Sequence, residues 1–276
     1  ERSLAAVARS AQLVQRTSLC KSVSVYYGDC SPTRMISDAQ LEKLRAQFGM
    51  HLNVHYHFFD SNLGSARGHN ALASSNSNQM FVILNPDVLM APRVLQILVE
   101  EFKEPGVGIV EAKQLPIEHP KDFLLTTGET SWVSTACAMV ASSLFQQLRG
   151  FDADSFFLYC DDVDFSWRVR QAGYKAVYQP RAAVFHDKKL SPQAQWQTSS
   201  AERYYSAEAA LILSYKWSRA DLTQQFLDSF KASGEDYLIK AAKKFETMRR
   251  NGTLPLPQDP EHKIGQFIAG NYAKHR

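Results

Sequence analysis

Along residues 1–190 the apolar positions switch between a period of two and helical spacing, and glycine, proline or asparagine marks each switch. Residues 3–15 read as a helix. Residues 23–27 form a short β-rich run that ends in the turn cluster Gly28-Asp29-Cys30-Ser31-Pro32. Leu41, Leu44, Ala46 and Phe48 recur among charged residues and predict a helix over 38–48, stopped by Gly49. Residues 53–59 are β-rich and lead into a small-residue, glycine-bearing loop from Asn62 to Asn70. Residues 79–84 make an apolar strand that ends abruptly at Asn85-Pro86-Asp87, and Pro92 opens a helix carrying Val94, Leu95, Leu98 and Phe102 on one face. Strand, turn, helix, strand is the grammar of an α/β sheet.

Residues 107–112 and 133–140 read as further strands, and 161–172 as a helix ended by Gly173. Two more β pieces, 174–178 and 182–186, are split by Pro180. After Ser191 the character changes to helices over 201–217, 220–232 and 235–250, followed by a proline-punctuated tail. The expected organisation is an α/β domain over 1–190, a mixed sheet flanked by helices, with a C-terminal helical extension over 191–276.

Composition narrows the function classes. At 276 residues, 45% hydrophobic and 21% charged, the chain is ordinary globular material, which excludes disordered, collagen-like and disulfide-scaffold classes. A formal net charge of +3 without a run of five like charges argues against nucleic acid as a partner. The uncharged stretch over 130–148 is interrupted by serine, threonine and glutamine, so no transmembrane helix is expected. The sequence opens on Glu1 with no apolar leader, which reads as a processed or trimmed start or a fragment, with no signal peptide visible. Cys20, Cys30, Cys137 and Cys160 lack CxxC spacing and point to a reduced, cytoplasmic setting.

Several residues could carry chemistry. Asp87 follows a strand end, the place where open α/β sheets bind ligands, and a carboxylate there can hold a hard divalent cation that bridges phosphate oxygens. The same Asn-Pro-Asp also makes a plain turn. In Tyr159-Cys160-Asp161-Asp162-Val163-Asp164, three acids sit at a helix N-terminus; Asp164 is accounted for by the helix dipole and by pairing with Arg168. Asp161 and Asp162, flanked by Phe156, Phe157, Leu158 and Tyr159, suit a general base, because crowding and burial raise a carboxylate's proton affinity. The Asn62–Asn70 segment combines close backbone approach with the guanidinium of Arg67, suited either to a diphosphate or to a simple solvent turn. His186, at a strand end, is a candidate metal ligand or a structural histidine. No GxSxG elbow is present and Cys137 has no basic sequence neighbour, so serine and cysteine nucleophiles are set aside.

The order of these signals is more specific than any one of them. A glycine-bearing segment, a strand ending in NPD, the turn Gly150-Phe151-Asp152, the run FFLYCDDVDFSWRVRQAGY and a strand closing on His186 resemble the inverting family 2 glycosyltransferases of GT-A fold, nearest the bacterial rhamnosyltransferase-like branch, over about residues 22–190. The resemblance implies that Asp87 is the last acid of a metal-binding D-x-D, that Asp162 is the base of the acidic pair with Asp161 beside it, and that His186 completes the metal shell. It also implies that Asp29, Asn62, Gly64, Arg67, Asn70 and Asn85 lie on the donor side and that Trp132 faces the acceptor. Two departures accompany it. Asn85 stands where the first acid of D-x-D is usual, and the family's first strand has no counterpart ahead of residues 3–15, which predicts a truncated start or an incomplete nucleotide pocket.

The expected activity is therefore transfer of a sugar, rhamnose or another deoxysugar first, from a dTDP- or UDP-linked donor to a glycan or lipid-linked acceptor, with a divalent cation (Mn2+ or Mg2+). Rival readings are a noncatalytic glycan-binding scaffold and a sugar nucleotidyltransferase. For residues 235–250, the stripe Leu238, Ala241, Ala242, Phe245 and Met248 with a basic flank is compatible with peripheral contact at the inner face of the cell membrane, with an oligomer surface, and with packing on the catalytic domain.

Overall fold

The computed structural model describes residues 1–188 and 197–272. Helix α1 (Arg2–Gln15) leads into strand β1 (Ser24–Asp29), α2 (Asp38–Phe48), β2 (Asn53–Phe58) and α3 (Gly64–Ser74). Then come β3 (Met80–Leu84), β4 (Val88–Met90), α4 (Val94–Glu101), β5 (Val107–Leu115), β6 (Glu129–Thr130), β7 (Cys137–Ala141), α5 (Ser142–Gln147), α6 (Asp161–Gln171) and β8 (Lys175–His186). Helices α7 (Ser200–Lys216), α8 (Ala220–Ala232) and α9 (Asp236–Asn251) form the extension. The boundary expected near residue 190 falls outside the described residues.

The main sheet runs β3-β7-β5-β8-β4 with β6 against β8, while β1 and β2 form a separate parallel ribbon. Only β5 and β8 pair in parallel within the main sheet; its other pairs are antiparallel. The result is a mixed sheet flanked by helices, the architecture expected from the sequence. Among the described residues β1 pairs only with β2 and β3 only with β7, so each keeps one edge without a ladder partner.

Local chemistry explains the elements. Ser37 and Gln40 form a reciprocal capping box at the start of α2, whose Leu41, Leu44 and Phe48 are buried. One side of the sheet packs on α1, α2 and α4 through residues such as Val14, Leu44 and Leu98, and the other on α5 and α6 through Phe145, Phe165 and Val169. A third cluster joins Trp132, Phe156 and Trp167 to the extension through Leu211, Trp217 and Phe245, so the C-terminal helices share a core with the α/β domain. Ala241, Ala242 and Phe245 of the α9 stripe are buried in that cluster. These three are packed inside the protein, while Leu238 and Met248 of the stripe are partly buried and packed against the cluster. Among the described residues no helix is long and apolar enough to cross a membrane.

Three expectations change. The small-residue segment after β2 is mostly helix: Asn62 accepts from the Gly64 N–H at 3.2 Å to start α3, and alanines carry the helix on. Pro180 does not split a strand, because β8 runs through it. The pairing with β5 shifts register between Ala112 and Lys113, opposite Gln179 and Ala183, so the missing N–H of Pro180 falls in a bulge and removes no ladder bond. The strand expected over 133–140 is shortened to β7, because the Val133 N–H bonds to the Ser166 hydroxyl and the Ser134 N–H to the Glu111 carboxylate instead of a neighbouring strand.

Candidate active site

A cavity of about 670 Å³ gathers Asn85, Asp87, Trp132, Asp161, Asp162 and His186 from distant parts of the sequence. Asn85 and Asp87 sit on the turn after β3, His186 ends β8, and the two acids begin α6. The pairing of Val88 with His186 in the β4–β8 ladder brings the histidine beside the Asp87 turn. Asp87 thus follows a strand end as expected, and it is β4, which the sequence pattern did not reveal, that pairs with β8 and sets His186 beside it.

The turn feeding α6 is backbone-strained. Tyr159 and Cys160 both take left-handed φ values, 69° and 57°, which non-glycine residues rarely adopt. This turn delivers Asp161 and Asp162 to the first turn of α6 without a side-chain cap. Asp161 is 4% exposed. Its Oδ2 has no hydrogen-bond partner, although the Ser65 hydroxyl bonds to the carboxyl group. Burial, with the adjacent Asp162 charge adding to it, pushes the Asp161 carboxyl up to about 7, against the helix dipole. Asp162 is less buried, its Oδ1 accepts from the Val163 N–H at 2.8 Å, and it shares the cavity wall. Two carboxylates this close exchange protons as a unit.

The second cluster is a buried chain ending at Asp87. Lys121 pairs with Glu111, whose Oε1 faces the Gln114 amide nitrogen at 3.4 Å. That contact orients the Gln114 carbonyl oxygen toward His186 Nδ1, 2.8 Å away, so Nδ1 carries a proton. His186 Nε2 then stands 3.3 Å from Asp87 Oδ2. The His186 hydrogen bond holds the half-exposed Asp87 carboxyl below the usual carboxylate range, against its partial burial. Nε2 and a carboxylate oxygen at this distance hold either a proton or a cation between them. Two neighbouring ligands of a cation at ~2.1 Å stand about 3 Å apart, so the pair fits a hard divalent ion. Among the described residues no group of three or more His, Cys, Asp or Glu forms a metal cage. Asp87 and His186 could supply two ligands to such an ion, the rest coming from phosphate oxygens and water.

The other candidates are placed elsewhere, and none of them lines the cavity. Asp29, at the end of β1, accepts from the Ser31 and Met35 N–H groups, each at 2.9 Å, and from the Tyr56 hydroxyl. Burial pushes its carboxyl up, but these donors more than reverse that and hold it well below the carboxylate range. Arg67 pairs with Asp154 at 2.8 Å on an exposed face. Asn70 clamps the Gly150-Phe151-Asp152 turn, donating to the Phe151 carbonyl at 2.8 Å and accepting from the Phe151 N–H at 2.9 Å. Gly150 permits this: its φ is 67° and a Cβ would meet Asn70 Oδ1 at 2.4 Å. Gly64 has φ 70° and would bring a Cβ to 2.3 Å from the Phe157 carbonyl, so glycine is what lets α3 dock beside the acidic turn and place Ser65 in the cavity.

Trp132 is buried at the cavity wall, with the Lys121 ammonium 4.1 Å from its ring centroid and the Tyr272 ring edge-on at 5.5 Å. Sequence reasoning missed Ser65, Gln114 and His119. Glu111 and Gln114 were detectable in principle, as polar residues within the largely apolar run of β5.

No family model matches the chain. Over 60 residues it is 44% identical to N-acetylglucosaminyl-diphospho-decaprenol L-rhamnosyltransferase of Mycobacterium tuberculosis, a match covering 22% of this chain and only 19% of that protein's length. It is 24% identical over 238 residues to the O-antigen chain rhamnosyltransferase RfbN of Salmonella typhimurium, covering 78% of this chain and 70% of the relative. A match to rhamnosyltransferase WbbL of Escherichia coli is 28% identical over 98 residues, covering 33% and 37%. Among solved structures, GalNAc-T7 with UDP, GalNAc and Mn2+ aligns with a TM-score of 0.61 at 11% identity, over 88% of this chain and 50% of that one. The mannosyltransferase PcManGT from Pyrobaculum calidifontis, in complex with GDP-Man and Mn2+, aligns at 0.51 and 17% identity, over 92% and 80%. The fold is that of the GT-A glycosyltransferases, and the sequence is rhamnosyltransferase-like.

Proposed function

We propose that the chain transfers a sugar from a nucleoside-diphosphate donor to a hydroxyl of a glycan or lipid-linked acceptor, with inversion at the anomeric carbon. The observation that carries the reading is the meeting, in one cavity, of a proton-affine acidic pair, Asp161 and Asp162, with the Asp87–His186 pair suited to a cation. Asp162 accepts the acceptor's hydroxyl proton as that oxygen bonds to the anomeric carbon and the bond to the diphosphate oxygen breaks. Asp161, buried beside it, sets the basicity of the pair. Asp87 and His186 would hold a divalent cation, which would supply charge neutralisation for the departing diphosphate. Gln114 holds His186 with Nε2 toward Asp87, and Trp132 lies buried in the wall on the acceptor side.

The relatives' names favour a rhamnosyl donor, which makes a dTDP-linked deoxysugar the first choice and a UDP-sugar the second. The reaction would take place at the cytoplasmic face of the membrane.

The test is a nucleotide-sugar panel with Mn2+ or Mg2+ and a glycan or lipid-linked acceptor, scored for free nucleoside diphosphate, a new glycosidic bond and anomeric configuration. Retained configuration refutes the single-base mechanism. Pyrophosphate chemistry supports a nucleotidyltransferase instead, and failure to bind any donor supports a noncatalytic scaffold.

A further inference from the structure

The buried chain that ends at Asp87 begins at a charge pair, with Gln114 and His186 between the two ends. The side chains of Glu111 and Lys121 are 0% and 3% exposed and stand behind the wall that Gln114, Trp132 and Ser134 present to the first cavity. A buried ion pair adds little to stability, because desolvation offsets its attraction. What this pair does follows from the direction of its hydrogen bonds.

Three donors converge on the Glu111 carboxylate. Oε2 accepts from the Ser134 N–H at 2.9 Å and from the Lys121 ammonium, and Oε1 faces the Gln114 amide nitrogen at 3.4 Å. Burial pushes the Glu111 carboxyl up, and the Lys121 ammonium is the strongest influence opposing it. Surrounded by these donors, the carboxylate leaves the shared proton on the amine and acts only as an acceptor. The Gln114 amide then has one orientation that suits both neighbours: nitrogen to Glu111 and oxygen to His186 Nδ1, 2.8 Å away. Nδ1 is therefore an N–H, and Nε2 is the ring nitrogen left to face Asp87.

We infer that Glu111 and Lys121 are a positioning pair for the cation site: their charges fix the direction of the hydrogen bonds through Gln114 and so keep His186 Nε2 available beside Asp87. This role presupposes the cation of the transferase reading, whereas the direction of the hydrogen bonds belongs to the chain and is readable without metal or substrate. The same geometry says how to reverse it. The Ser134 N–H can only donate, so in Glu111→Gln the new carbonyl oxygen takes that bond and the new amide nitrogen turns toward Gln114. Gln114 then offers its oxygen to position 111 and its nitrogen to His186. Nδ1 becomes an acceptor, and the ring proton moves to Nε2, where it competes with a cation.

The readout is the His186 ring itself, by nitrogen NMR of the full, metal-free chain carrying isotope-labelled histidine, with the signals assigned by their loss in His186→Ala. At about pH 9 each histidine holds a single ring proton, and in the wild type the one on His186 should sit on Nδ1. Glu111→Gln alone would leave Lys121 buried and unpaired, so the working variant is Glu111→Gln with Lys121→Met. There the proton should move to Nε2, and Mn2+ should bind about tenfold or more weakly. Glu111→Gln with Gln114→Glu keeps the net charge, restores an acceptor for the Nδ1 N–H, and should bring back both the Nδ1 proton and Mn2+ binding. An unprotonated Nδ1 in the wild type overturns the inference, as does an unmoved proton in the folded Glu111→Gln/Lys121→Met chain. Failure of the carboxylate swap to restore the Nδ1 proton would also overturn it, reducing the pair to a prop beneath Trp132, whose ring centroid is 4.1 Å from the Lys121 ammonium. The expected proton positions in all three chains, with no Mn2+ binding even in the wild type, would uphold the direction of the hydrogen bonds and count against the cation reading alone.

Discussion

Asp161 should cost the fold stability that the site recovers as basicity, and the two can be separated by pH. The carboxyl rises from an ordinary 3.8 to about 7 in the folded chain. Between those values the folded protein holds a proton that the unfolded chain has released, so stability falls as pH rises through that window. A separation of about three pH units corresponds to ~4 kcal/mol, an upper figure because local relaxation and water penetration soften burial. Most of the window lies above pH 5, so between about pH 5 and pH 8 the wild type should lose ~2–3 kcal/mol through this group. Asp161→Asn keeps the shape and removes the ionisation, but leaves an amide where Oδ2 had no partner. That costs about 1–3 kcal/mol at every pH. The decisive quantity is therefore the change in stability between the two pH values, compared between wild type and variant by urea denaturation. The variant should be the less pH-sensitive protein by ~2–3 kcal/mol, and relative to wild type it should gain ground at alkaline pH. Identical pH slopes would refute the buried, proton-holding role. Asp162→Asn offers an internal check: with the neighbouring charge gone, part of the slope should also vanish, because that charge is the second cause of the rise.

Three other outcomes follow from the same geometry. Asp162→Asn should lower turnover about a hundredfold or more with donor affinity nearly unchanged, measured by steady-state kinetics and calorimetry; wild-type turnover would transfer the base role to Asp161. Gln114→Ala should weaken Mn2+ binding about tenfold, read by metal titration in an electron paramagnetic resonance assay, because His186 loses the acceptor that fixes Nε2 toward Asp87; Asp87→Ala should abolish binding, and an unchanged midpoint in both variants would remove the metal from this site. Asp164→Asn should destabilise the chain by ~3 kcal/mol in urea, since a fully buried carboxylate that pairs with Lys216 and Arg168 and accepts from Trp217 loses its charge; a loss under about 1 kcal/mol would show the network to be dispensable.

What could be read from the sequence was set by how local each determinant is. Helix α2 carries its own stripe, capping box and stop, and α8 its own stripe with Gly234 just beyond its end, so their bounds follow from spacing. The acidic pair and the strand-end Asp87 were legible for the same reason, as residue types at element ends. The strands β4 and β6 have three and two residues, too short to show a period, and exist because β8 is there to pair with them. The Asn62–Asn70 segment misled because small polar residues look like a loop until the packing is known: Gly64 and Asn70 serve close contacts with Phe157 and with the 150–152 turn. Gln114 stands out as a polar residue of β5, but its role could not be read because it lies in a histidine 72 positions away.

The same distinction governs the C-terminal helices. Asp164 was expected to pair with Arg168 one turn on, and it does, at 2.8 Å. Sequence spacing could not show that Lys216 and Trp217 reach the same carboxylate, at 2.7 and 3.1 Å, or that Lys216 also holds Asp152 at 2.7 Å. Arg168 in turn donates to the Leu148 and Gly150 carbonyls, each at 2.8 Å. One buried network thus ties the end of α7 to the turn at Gly150-Phe151-Asp152 and to the first turn of α6, where Asp161 and Asp162 begin. A strained turn at Tyr159 and Cys160 persists only if its surroundings hold it, and this network, with Trp167 packed edge-on against Trp217 at 5.1 Å, is what holds the helix it feeds. The extension is therefore joined to the helix turn that carries the candidate base. Loosening Lys216 should misplace the acidic pair before it unfolds the chain, since the α/β domain keeps its own two cores on the faces of the sheet.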